Sequence, residues 1–159
     1  MPIPPQFEMK TLKLEIYRRK LPHWRLKGSV YFVTWRLADH QPCLSSEEKT
    51  LVVTTIKHFE NRRYTLPAYV VMDDHVHALV FPLEGFALHR IVHSWKSFSA
   101  QRLASDGARI PPVWQREYFD RIVRNDDELR QKAQYILGNP LKRWPSIEEY
   151  PWAGFGPCP

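Results

Sequence analysis

The sequence predicts an α+β domain: a four-stranded antiparallel sheet with elements in the order β-α-β-β-α-β, followed by one more helix. Three observations carry that prediction. Val30–Leu37 is a β-branched and aromatic run of strand character. Tyr69–Phe81 holds two apolar runs around an Asp73-Asp74 step, the pattern of a buried hairpin. Apolar residues at helical spacing separate the first strand from the hairpin and recur after it. This order is the split βαβ, or ferredoxin-like (RRM-like), arrangement, with two helices on one sheet face and the other face open.

From the N-terminus, residues 1–28 read as a basic arm, Pro-rich at first, and residues 29–159 as a single domain with a C-terminal tail. A length of 159 residues, 43% hydrophobic and 25% charged, is that of one ordinary globular domain. The net charge of +6 suits a polyanionic partner, nucleic acid first, and the excess lies mostly between Lys10 and Arg36. Cys43 and Cys158 form no CxxC pair, no apolar run reaches membrane-spanning length, and the first residues lack a signal-peptide core. A cytoplasmic protein with reduced thiols and no membrane contact is expected.

Ser45 and Glu48 match a capping box, opening a helix with Val52, Ile56 and Phe59 on one side and an expected end near Arg62-Arg63. After Gly85 a second helix carries an apolar stripe of Leu88, Ile91, Val92, Trp95 and Phe98, with Arg90, His93, Lys96 and Arg102 opposite. Val113–Val123 reads as the fourth strand. A third helix opens at Asn125 or Asp126 and runs to Gly138, where Asn139-Pro140 should stop it. The tail from Trp144 is rich in Pro and aromatics and should drape over the body.

Chemistry concentrates in the second strand of the hairpin. Side chains alternate across a strand, so His75 and His77 share one face while Val76, Ala78 and Val80 take the other. Two imidazoles on a rigid element make half of a metal site. On the third helix Leu129, Ala133, Ile136 and Leu137 form the core stripe, and Glu128, Lys132, Tyr135 and Asn139 fall on a second, polar side. If that helix packs on the open sheet face, a divalent ion on the histidines and a carbonyl oxygen could polarise a phosphate while the tyrosine attacks it. A free phenol titrates near about 10, so the attack needs help from the ion or a base. Tyr118 is a rival nucleophile, and His23, His89 and His93 are rival ligands without a partner at short spacing. Arg18, Arg19, Lys20, Trp24, Lys96 and Arg116 are candidate DNA contacts, although Trp24 and Trp114 would serve equally as core anchors.

His75-Val76-His77 resembles the "HUH" motif (His, hydrophobic, His) of nucleases that cut single strands with a tyrosine. The runs Trp114–Arg121, Arg124–Leu129 and Tyr135–Pro140 are similar to one branch of these, the REP-associated tyrosine transposases related to the IS200/IS605 insertion-sequence transposases. Arg18–Trp24 and Tyr31–Leu37 resemble the start of that branch, so the likeness spans about residues 17–152. It implies a single-tyrosine (Y1) endonuclease and strand transferase using Mg²⁺ or Mn²⁺. The implied substrate is single-stranded DNA folded into REP-type hairpins with a short flanking tetranucleotide, and cleavage would leave a 5′-phosphotyrosine and a free 3′-OH. By position Tyr135 matches the nucleophile, His75 and His77 the metal ligands, and Asn139 the third ligand, which insertion-sequence relatives supply as Gln. Asp73 stands where Pro is common in the family, which should loosen the hairpin turn. The likeness favours a monomer and leaves a dimer possible. A binding-only RRM-like module is the alternative from another class, but the strands lack an RNP-like aromatic pattern and would leave the histidines without purpose. A rolling-circle initiator or relaxase ranks below both.

Overall fold

The fold is described from a computed structural model, which covers residues 12–13, 21, 28–105 and 107–156. Its main sheet has five antiparallel strands, side by side in the order Phe119–Ile122, Tyr31–Arg36, His75–Pro82, Tyr64–Val71 and Ala153–Phe155. These are β2 (Tyr31–Arg36), β3 (Tyr64–Val71), β4 (His75–Pro82), β5 (Phe119–Ile122) and β7 (Ala153–Phe155). The first four follow the expected ferredoxin-like order, and the tail adds β7 beside β3. A separate pair joins β1 (Leu12–Lys13) to β6 (Glu149–Tyr150), so the arm meets the tail.

Helices α1 (Ser46–Lys57) and α2 (Leu88–Ala104) cover one sheet face. Val33, Trp35, Val76, Ala78 and Val80 point there, onto Val52, Ile56, Ile91, Val92 and Trp95. Helix α3 (Asp126–Arg143) covers the other face, where Phe32, Val70 and Leu79 meet Leu129, Ala133, Ile136 and Leu137. Every residue of β3 is therefore buried, as expected of a strand covered on both sides. Leu21 inserts into the α3 side.

The capping box forms as expected, with Glu48 N–H donating to Ser45 Oγ at 3.2 Å and Ser45 N–H to Glu48 Oε1 at 3.0 Å. Four expectations need correction. Helix α1 ends at Lys57, and the chain reverses through Asn61, whose φ is 67°. The core stripe of α2 passes through Ser99 instead of Phe98, because the Trp114 indole N–H donates to Ser99 Oγ at 2.9 Å. The fourth strand is four residues long, preceded by a single bridge from Trp114 to Leu37. Helix α3 runs through Pro140 to Arg143. Proline there forfeits only its own N–H, its carbonyl still accepts from Trp144 N–H at 2.8 Å, and the turn from Ile136 to Pro140 is buried against the sheet. Asn125 caps its start through Glu128 N–H, and Asp126, Asp127 and Glu128 lie at the dipole's positive end.

Strand β7 packs closely: a Cβ built on Gly154 would lie 2.6 Å from the Tyr69 hydroxyl. Gly154→Ala is expected to cost about 1–3 kcal/mol by overpacking, read as a lower melting temperature.

Candidate functional site

Register across the sheet builds the site. Thr34 of β2 lies opposite His77 and Arg36 opposite His75, so these four share the face that α3 covers. Alternation along β4 sets both imidazoles on that face, as the spacing requires. Their ring centroids are 4.7 Å apart.

Each ring is held at Nδ1. His75 Nδ1–H donates to Asp74 Oδ1 at 2.7 Å, and this bond holds the Asp74 carboxyl below its usual range. His77 Nδ1 lies 2.6 Å from Thr34 Oγ1. Burial, reinforced by the charges of His75, Arg36 and Lys132, brings His77 down to about 3, so its imidazole is neutral. A ring held at Nδ1 keeps Nε2 as its nitrogen for a ligand, the usual arrangement in a metal-binding histidine.

Helix α3 delivers Tyr135 to the same face. Its ring centroid lies 5.4 Å from that of His77 and 6.1 Å from that of Phe32, edge-on to both. Phe32 stacks on His77 at 5.4 Å. Tyr135 is 42% exposed, so a substrate can reach it. Lys142 Nζ sits 4.8 Å from the Tyr135 centroid and Lys132 Nζ 4.9 Å from that of Phe32, which borders the site with positive charge. Asn139 follows Tyr135 by one helical turn and is buried. Among the described residues no three His, Cys, Asp or Glu converge, so a third protein ligand would be a neutral oxygen such as the Asn139 amide. Two imidazoles side by side could hold a divalent ion.

The hairpin turn is tied, not loosened. Asp73 pairs with Lys49 at 2.8 Å, and the Lys49 ammonium sits 4.9 Å from the Trp152 centroid and 5.3 Å from that of Trp144. The backbone carbonyls of Asp73 and Asp74 accept from Leu44 and Leu37 N–H.

Tyr118 packs towards the α1/α2 side and lines a cleft of about 620 Å³ with His89, Arg90, His93, Lys96 and Arg116. The structure therefore separates it from the histidine pair. Lys96 and Arg116 share that cleft, and Lys96 Nζ donates to the carbonyls of Gln115 and Arg116. Trp114 is a core anchor, buried against Trp35. Arg18, Arg19, Lys20, His23 and Trp24 lie outside the described residues. Sequence reasoning missed Thr34, Phe32 and Lys142, which join the site through sheet register and helix docking and leave no local motif.

The sequence profile of the family described as "Transposase IS200 like" matches residues 26–139. A REP-associated tyrosine transposase of Escherichia coli K12 is 25% identical over 142 residues, covering 87% of this chain and 81% of that one. A candidate REP-associated tyrosine transposase of Haemophilus influenzae is 24% identical over 146 residues, 81% of each. Among solved structures, a REP-associated tyrosine transposase bound to a REP hairpin superposes with a TM-score of 0.58 at 21% identity, over 79% of this chain and 74% of that one. The family match spans β2 to β5, both histidines and α3 as far as Asn139.

Proposed function

Because the chain belongs to the IS200-like transposase family, we propose that it cleaves and rejoins single-stranded DNA next to a REP-type hairpin, with Tyr135 as the nucleophile. The observation that carries this reading is the 5.4 Å between the ring centroids of Tyr135 and His77. Tyr135 Oη forms the new bond to phosphorus and the P–O3′ bond breaks. The phenol gives up its proton, the departing 3′ oxygen takes one, and a 5′-phosphotyrosine remains. Conserving the bond energy in that ester allows a second 3′-OH to reverse the step.

His75, His77 and Asn139 would hold a divalent cation, Mg²⁺ or Mn²⁺, whose charge would steady a non-bridging phosphate oxygen. Asp74 and Thr34 orient the two imidazoles, and low basicity keeps His77 available as a ligand. Lys132, Lys142 and Arg36 place cations where the phosphodiester would lie. Tyr135 stands beside a histidine of its own chain, which supports a site that works as a monomer.

The test is incubation with a labelled hairpin oligonucleotide carrying a single-stranded flank. An SDS-resistant adduct that forms with Mg²⁺ or Mn²⁺ and is suppressed by EDTA supports the reading. Binding without any adduct would favour a non-catalytic nucleic-acid module of the same fold. Thr34→Val removes the oxygen that holds His77 Nδ1. The divalent-ion concentration giving half-maximal cleavage is expected to rise about 10- to 100-fold, with little change in melting temperature.

A further inference from the structure

Strand β5 forms one edge of the sheet, and all four of its residues are exposed. Phe119 is its most exposed apolar residue at 57%, and no described ring stacks on it. Its orientation follows from its neighbours. Arg121, two residues on, pairs across the sheet with Phe32 and reaches Glu128 of α3 at 3.3 Å. Side chains two apart share a face. Phe119 therefore stands on the α3 face, the face of the histidine pair. Its cross-strand partner is Thr34, which bonds His77. The ring thus lies two strand spacings, about 10 Å, from the column that holds His77. Arg36, two residues beyond Thr34, shares that face, while Asp120 points to the other.

A flat ring left bare beside a cation-bordered phosphate site has the character of a stacking platform. We propose that Phe119 stacks a nucleobase of the single-stranded flank next to the cleaved phosphodiester. This rests on the reading of the site as a single-strand nuclease and names a contact that the histidines and Tyr135 do not supply. Every base has a π-face, so the platform adds affinity for unpaired strand with little sequence preference.

The test is fluorescence anisotropy in EDTA, which separates binding from cleavage, with a single-stranded oligonucleotide and its duplex. Phe119→Ala should weaken single-strand binding about tenfold or more, Phe119→Tyr should hold it within about twofold, and duplex binding should not change. Phe119→Leu should behave like Ala. Unchanged single-strand binding in Phe119→Ala, full rescue by Leu, or equal loss for duplex would each overturn the proposal. A wild-type dimer in light scattering that Phe119→Ala dissociates would also overturn it, assigning the ring to a copy-to-copy interface. The two readings fail separately. An adduct with normal Phe119→Ala binding rejects the platform and keeps the nuclease. Lost binding without any wild-type adduct keeps the platform and rejects the cleavage chemistry.

Discussion

Tyr135→Phe is expected to abolish the SDS-resistant protein–DNA adduct and to slow strand cleavage by about a thousandfold or more. The substitution removes one oxygen and keeps the ring that meets His77, Phe32 and the Lys142 ammonium. Melting temperature and hairpin affinity should therefore stay at wild-type values, so a lost adduct cannot be blamed on folding. Tyr118→Phe is the matched control. That phenol lines the cleft on the α1/α2 side, and the sheet stands between it and the histidines. Its loss should leave adduct formation within about twofold, because no reacting atom can reach it. If instead Tyr118→Phe stopped the adduct and Tyr135→Phe kept it, the assignment of the site to the α3 face would be wrong.

His77→Ala should also stop cleavage, but it tells less. His77 is buried, stacked on Phe32 and bonded to Thr34, so its removal opens a cavity as well as deleting a donor. The tyrosine pair is the cleaner experiment because neither change alters packing.

The parts of the molecule legible in the sequence are those governed by short, strict periods. Alternation along a strand has period two, so a histidine pair two residues apart must share a face whatever surrounds it. The helical period likewise places Tyr135 off the stripe of Leu129, Ala133, Ile136 and Leu137. Local punctuation proved less reliable. Pro140 reads as a stop, yet burial of the Ile136–Pro140 turn against the sheet outweighs one missing hydrogen bond. The Val113–Val123 run has strand composition, but only four residues pair with β2. Strand β7 is three residues long, too short to show a period. Thr34 and Phe119 belong to the site only through register with β4 and β2, which follows from how the strands align and not from any local run. Asp73 shows the same limit: the turn it was expected to loosen is tied by Lys49, remote in sequence and adjacent in space.

The largest expected loss of stability comes from a residue remote from the chemistry. Arg109→Ala should destabilise the fold by about 3 kcal/mol, which for a chain of this size lowers the melting temperature by about 6–12 °C. Arg109 is a loop residue only 4% exposed, with its guanidinium fully engaged. Nε donates to Glu48 Oε2 at 2.6 Å and one terminal nitrogen to Glu48 Oε1 at 2.8 Å, a bidentate pair. The remaining N–H groups reach the Pro42 and Cys43 carbonyls and the Gln41 side chain. One side chain thus ties the loop before β5 to the capped start of α1. Glu48 keeps some solvent, which places the cost at the lower end of the range for a broken buried pair. Arg109→Lys should recover only part of the loss, since one ammonium cannot span both carboxylate oxygens and three further acceptors. The pair also sets a pH dependence. The Arg109 hydrogen bonds hold the Glu48 carboxyl below its unfolded value. Its contribution is therefore complete above that unfolded value and is lost as pH falls through the lower, folded one. The stability gap between wild-type and Arg109→Ala proteins should accordingly narrow in acid to what the bonds to Gln41, Pro42 and Cys43 supply, and a gap that stayed constant down to low pH would show that the Glu48 pair contributes nothing to it.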